Sequence, residues 1–97
     1  MSGQEKTETI LKAFGDRSRL QILECIERGI SNPGKMAREL DRHRATVEKH
    51  LRVLSRAGIV EKVPVLTSQG HLSISYKITQ NAAKFLAAVK EACREFQ

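Results

Sequence analysis

The segment DRHRATVEKHL, residues 41–51, gathers an aspartate, a glutamate, two histidines, two arginines and a lysine within eleven positions. Three chemistries use such residues: ligation of a metal ion, acid–base or nucleophilic catalysis, and contact with phosphates and base edges. A metal site built from Asp41, His43 and His50 needs all three donors at about 2.1 Å from one ion. Seven residues separate the histidines, which on a helix is about 10 Å along the axis, too far for one ion without a bend. His50 is better read as a packed, hydrogen-bonded histidine. Catalysis needs a nucleophile with an oriented base, paired carboxylates or a glycine-rich phosphate loop, and none stands at a recognisable spacing. The expectation is therefore no enzyme, no metal and no cofactor.

The charge balance bears on the third chemistry. Seventeen Lys and Arg stand against eleven Asp and Glu, a formal charge of +6 over 97 residues, which favours an anionic partner such as nucleic acid. Residues 35–56 hold Lys35, Arg38, Arg42, Arg44, Lys49, Arg52 and Arg56 against Glu39, Asp41 and Glu48, so +4 of that charge sits in one short stretch. By itself, such a run is equally the solvated face of an ordinary surface helix. No apolar run approaches the ~20 residues a membrane-spanning helix needs, and the N-terminal MSGQEKTETI lacks the apolar stretch of a signal peptide. A cytoplasmic protein with no membrane partner is expected. Two cysteines, Cys25 and Cys93, are too few for a disulfide framework and have no metal-type spacing. Both fall on apolar stripes and read as buried thiols.

The elements that position the basic stretch follow from periodicity. Ile10, Leu11 and Phe14 recur at helical spacing up to Gly15. Asp16 then reads as an N-cap for a helix carrying Leu20, Ile22, Leu23, Cys25 and Ile26 inward, with Gly29 as its stop. Asn32–Pro33 opens a third helix with Met36, Ala37 and Leu40 inward. A fourth places Val47, Leu51 and Leu54 in the core at intervals of four and three, ending near Gly58. Helical geometry then turns Arg44, Ala45, Thr46, Glu48, Lys49 and Arg52 outward.

After Gly58 the period becomes two. Val63 and Val65, then Leu72, Ile74, Tyr76 and Ile78, alternate with polar residues around TSQG, the mark of a hairpin in which Pro64 belongs on an edge or at a bulge. From Asn81 the helical period returns, with Ala82, Leu86, Val89, Cys93 and Phe96 on a stripe that wants a facing helix. The expected fold is a single domain over 1–97, mainly α with a β-hairpin wing, in the order α-α-α-α-β-β-α. That order is the layout of a winged helix-turn-helix, whose second paired helix enters the major groove of duplex DNA.

Local stretches carry a family resemblance. ILKAFGDRSRLQILECI, with Asp16, Ser18, Arg19, Leu20, Ile22 and Leu23, is similar to the entry segment of the arsenic-repressor (ArsR) family of winged-helix transcriptional regulators. TVEKHLRVLSRAGIV resembles its helix-turn-helix in Thr46, Val47, His50, Leu51, Leu54, Ala57 and Gly58, and HLSISYKIT resembles its returning wing strand. The resemblance implies a homodimer joined by the first and last helices, about 5–14 and 80–96, through Ile10, Phe14, Leu86, Val89, Cys93 and Phe96. It also implies a palindromic operator; repression by occlusion is the expected mode. Arg44, Ala45 and Thr46 are expected to read bases. Lys35, Arg42, Lys49 and Arg52 are expected to hold phosphates, with Gln69 and His71 at the wing.

Three departures qualify the resemblance. Arg42 and His43 replace the usual small residue and serine before the reading helix. Neither of the family's metal-sensing ligand sets is present, so any effector is unknown. The wing tip TSQGH lacks an arginine, which leaves the wing a modest expected grip on DNA. An architectural DNA binder without base discrimination and a winged-helix module for protein contacts remain alternatives. If the last helices pair antiparallel across a dimer, the two copies of Cys93 come within reach of each other.

Overall fold

The computed structural model describes residues 2–96. The elements run α1 (Gly3–Phe14), α2 (Arg17–Glu27), α3 (Pro33–Glu39), α4 (Arg44–Arg56), β1 (Val60–Leu66), β2 (Leu72–Ile78) and α5 (Gln80–Cys93), closed by a 3-10 turn at Arg94–Phe96. This is the order expected from the periodicities.

Helix starts follow their caps. The Ser2 hydroxyl accepts from the Glu5 amide at 3.2 Å. Helix α1 thus begins at Gly3, earlier than its apolar period suggests; Ser2 and Glu5 have the Ser-x-x-Glu spacing of a capping box. Asp16 caps α2 by accepting from the Arg19 amide at 3.1 Å. Asn32 caps α3 through the Gly34 and Lys35 amides, with Pro33 in the first turn.

The turn between α3 and α4 has no glycine, and Asp41 takes the left-handed conformation instead, at φ 52°. The Arg42 amide donates back to the Ala37 carbonyl and the Asp41 amide to Arg38, the paired bonds of a Schellman cap. An aspartate tolerates this geometry at modest cost, so the sharp turn needs no glycine. His43 stands at the N-cap of α4 and makes no side-chain capping bond, in line with its replacing a serine.

One core joins all the helices. Ile22, Leu23 and Cys25 of α2, Met36 of α3, and Val47, Leu51 and Leu54 of α4 are buried together with Ile59, Val60, Tyr76, Ala82 and Leu86. Helix α4 lies at its centre, with Leu51 and Leu54 at 0% exposure. Two expectations are corrected. Leu20 is 44% exposed, because α2 needs only the narrower face through Ile22, Leu23 and Cys25. Cys93 is exposed while Cys25 is buried: every residue of α5 beyond Leu86 faces outward, so the last two turns have no core of this chain beneath them.

The strands pair antiparallel without interruption from Val60 opposite Ile78 to Leu66 opposite Leu72. Pro64 therefore lies on an edge strand, not at a bulge. The hairpin closes through the Thr67 amide to the His71 carbonyl at 2.7 Å and the Gly70 amide to Thr67, with Gly70 at φ 80° supplying the left-handed residue of a three-residue loop. Its base is tied to the start of α3. The Tyr76 amide donates to the Ser31 carbonyl at 2.9 Å, Ser31 and Ser75 hydroxyls meet at 3.1 Å, and Asn32 Nδ2 donates to Ser73 Oγ.

Candidate nucleic-acid interface

With Val47, Leu51 and Leu54 in the core, α4 presents Arg44, Ala45, Lys49, Arg52 and Arg56 to solvent, and Thr46 and Glu48 half-buried beside them. Helix α3 packs against α4 through the Schellman turn and leaves Lys35 and Arg38 exposed on the same sequence stretch. The acidic residues here are mostly spoken for: Glu48 pairs with Arg44 at 3.1 Å and Glu39 with Arg28 of α2 at 2.5 Å. Among the described residues, Lys35, Arg38, Lys49, Arg52 and Arg56 form no ion pair within 4 Å. Apart from the Arg44–Glu48 pair, the face is cationic without internal compensation.

Arg44 spends only its Nε on Glu48, and its side chain is well exposed. An exposed i,i+4 pair is worth about 0.3–0.5 kcal/mol, whereas a bidentate arginine–guanine contact is worth about 1–3 kcal/mol. The Glu48 pair is thus weak enough to be given up to a guanine edge presented to this guanidinium. Arg42 is turned the other way, donating to Ser18 Oγ at 3.2 Å, so the phosphate contact expected of it would require the side chain to swing off α2. Gln69 and His71 are exposed at the far end of the hairpin.

His50 occupies the opposite side of α4. Its Nδ1 meets Arg19 Nη1 at 3.2 Å, while the same guanidinium donates to the carbonyls of Ala13 at 2.7 Å and Lys12 at 3.0 Å. Guanidinium nitrogens only donate, so Nδ1 accepts and the ring is neutral with its proton on Nε2. Arg19 thus closes the C-terminal carbonyls of α1 and fixes the rear of the reading helix. The sequence resemblance matched Arg19 without revealing this role, since its partner lies 31 residues away. Asp41 and His43 are exposed in the turn, away from the Arg19 contact. Among the described residues no three His, Cys, Asp or Glu side chains are grouped to hold an ion.

Burial pushes the His50 pKa below its ordinary value; the Asp16 carboxylate opposes this, and Arg19, Lys49 and Arg42 reinforce it. A lowered folded-state value means that neutral His50 stabilises the fold above the unfolded pKa of about 6.5, and that this contribution is lost as pH falls through the folded value. The melting temperature is expected to drop between pH 7.5 and 5.5, and to drop less in His50→Asn, whose Oδ1 can accept from Arg19 but does not titrate. Equal drops in the two proteins would remove His50 from this role.

The residues assigned to a dimer face divide. Phe14 and Leu86 are buried within one chain, and Phe14 stacks on Phe85 with ring centroids 4.9 Å apart. Ile10 is partly buried. Val89, Cys93 and Phe96 are exposed. Three apolar residues outside the expected dimer set join them: Leu11 and Leu20, which periodicity placed on inward stripes, and Phe85, which it did not single out. Leu11, Phe14, Leu20, Phe85, Leu86 and Val89 line one cleft between α1, α2 and α5. Their signal was present in sequence as apolar stripes wider than a single core contact requires.

A helix pair with its cationic second helix braced by a hairpin defines a winged helix-turn-helix. The pattern of the helix-turn-helix domain family matches residues 14–63. An uncharacterised HTH-type transcriptional regulator of Methanocaldococcus jannaschii is 42% identical over 62 residues, covering 63% of this chain and 70% of the relative. The chain belongs to this helix-turn-helix family of transcriptional regulators and has an ArsR-like winged-helix fold. Among solved structures, the homodimeric winged helix-turn-helix DNA-binding domain of a possible ArsR-family regulator from Mycobacterium bovis superposes with a TM-score of 0.82 at 23% identity, covering 99% of this chain and 93% of that one. HlyU from Vibrio cholerae superposes with a TM-score of 0.69 at 22% identity, covering 95% and 97%. No helix among the described residues is long and apolar enough to cross a membrane.

Proposed function

We propose that the chain is a sequence-specific repressor that binds a palindromic operator as a homodimer, works in the cytoplasm, and acts by occlusion without catalysis. The observation that carries this reading is the first turn of α4. Arg44, Ala45 and Thr46 stand at the start of a helix whose rear is fixed by Leu51, Leu54 and the Arg19–His50 contact. That is the end of a recognition helix best placed to meet base edges. Lys35, Lys49 and Arg52 flank it as unpaired cations suited to phosphates, and Gln69 and His71 extend the contact at the wing. A short stretch of mixed chemistry at the helix start favours base discrimination over bulk charge neutralisation.

The dimer rests on the exposed apolar residues of α1 and α5, and on the homodimeric state of the Mycobacterium bovis neighbour. The test of specificity is a fluorescence-anisotropy titration of the duplex upstream of the chain's own gene against a scrambled duplex, from about 50 to 200 mM salt. A preference that survives added salt supports a specific regulator. Equal, steeply salt-dependent binding to both duplexes would favour an architectural role. Within a specific complex, Arg44→Ala is expected to leave the fold intact and to cost about 1–3 kcal/mol at one operator position. A uniform loss on every sequence would place Arg44 on a phosphate instead.

A further inference from the structure

The wing is built differently from the rest of the cationic face. Residues paired across an antiparallel hairpin share a face, so Lys62–Tyr76, Pro64–Ile74 and Leu66–Leu72 form one row along it. At the base of this row Tyr76 is buried, with Glu48 and Arg52 of α4 as its charged neighbours. Val60, on the same face, and Tyr76 share one core with Val47, Leu51 and Leu54, so the row is turned toward α4. Toward the tip the same row stays apolar while leaving the core: Ile74 is 39% exposed, Leu66 72% and Leu72 73%. Thr67 and His71 form a hydrogen-bonded pair, so the preceding Leu66–Leu72 pair is of the non-hydrogen-bonded kind, whose side chains lie closest. Two leucines thus form one exposed knob beneath the turn.

The charge around this knob is compatible with an anionic occupant. No acidic residue occurs from Lys62 to Lys90, and the turn itself offers Thr67, Ser68, Gln69 and His71 as hydrogen-bonding groups. From Tyr76 to Leu72 the strand advances about 13 Å, enough to pass one phosphate backbone from a major groove held by α4 to the neighbouring minor groove. Lys62 and Arg52 flank the start of that path, where the backbone would cross. A minor groove is about 6 Å wide, narrower than a two-stranded ribbon with side chains, so an apolar knob entering it must widen it and unstack a step.

We propose that Leu66 and Leu72 form an apolar wedge that enters the minor groove beside the major-groove site and bends the duplex there. The inference rests on the DNA-binding reading above. On this view the wing lacks an arginine because it works by deforming the groove, not by neutralising charge. Sequence preference then extends to flanking steps that unstack easily, even though no hydrogen bond reads them.

The test uses the full chain and a duplex recovered by repeated selection from a random-core pool. Wild type and the Leu66→Ser/Leu72→Ser double variant are compared by anisotropy, by circular-permutation electrophoresis for the bend angle, and by sedimentation. Both leucines are largely exposed, so the variant is expected to melt like wild type. It is expected to bind about tenfold more weakly and to bend the duplex less, while keeping its core base preference. A Leu66→Met/Leu72→Met variant should retain both affinity and bend. A serine variant that bends and binds as wild type does would overturn the wedge. So would a change confined to the sedimentation coefficient, which would assign the leucines to contact between protein copies. Failure of wild type to bind any selected duplex would instead sink the DNA-binding reading itself.

Discussion

Leu51→Asp is expected to leave no cooperatively folded protein. Leu51 has 0% exposure at the centre of α4, surrounded by the apolar side chains of the one core that joins the helices. A carboxylate there either stays ionised without a partner or takes up a proton, and both choices cost several kcal/mol. The lost leucine packing adds about 2–5 kcal/mol. A domain of this size has only about 5–15 kcal/mol to lose, so the sum reaches or exceeds its stability. Circular dichroism at 222 nm and a thermal melt read the result directly. The neighbouring Arg52→Ala is the control: an exposed side chain one position on, it should melt within a few degrees of wild type while weakening DNA binding. A Leu51→Asp protein with a normal melt would mean that α4 is not held as described.

The contrast between positions 51 and 52 is also where the sequence was most readable. Val47, Leu51 and Leu54 recur at intervals of four and three, and no strand or loop places three side chains on one side at that spacing. The inward face of α4 was therefore legible, and with it the outward set from Arg44 to Arg52. The hairpin was legible for the same reason, as its period changes abruptly to two. What periodicity could not decide is how much of each apolar stripe one chain consumes. Phe14 and Leu86 sit on the same stripes as Leu11 and Val89, yet the first two are buried and the last two exposed. The difference depends on where α5 leaves the body, a tertiary fact with no local signal. Cys93 was misjudged on the same ground. Arg19 was hidden for another reason: its three bonds run to two carbonyls of α1 and to a histidine of α4, and side-chain chemistry of that kind has no period at all.

The apolar residues left outside set the second large effect. Leu11 is 55% exposed, Val89 38% and Phe96 88%, on helices that otherwise carry ample charge to stay dispersed. A monomer gains nothing from exposing such side chains together, and a chain this short has a thin core of its own. In the proposed homodimer, pairing of α1 and α5 with a second copy would cover them and fix two α4 helices at a set separation. Once one copy is bound to a half-site, the second binds at an effective concentration far above its bulk value, which raises affinity about 10²–10⁴-fold without any new DNA contact. The double variant Leu11→Asp/Val89→Asp places like charges across that face and touches neither the core nor α4. It is expected to sediment as a monomer, to melt cooperatively, and to bind a two-half-site duplex about 10²–10⁴-fold more weakly than wild type. Its affinity for a single half-site should be unchanged. Arg44→Ala is expected to do the reverse, weakening each half-site while leaving the sedimentation coefficient alone. If the double aspartate variant keeps full affinity for the paired site, the two α4 helices are not coupled through this face, and the operator must be read by single chains.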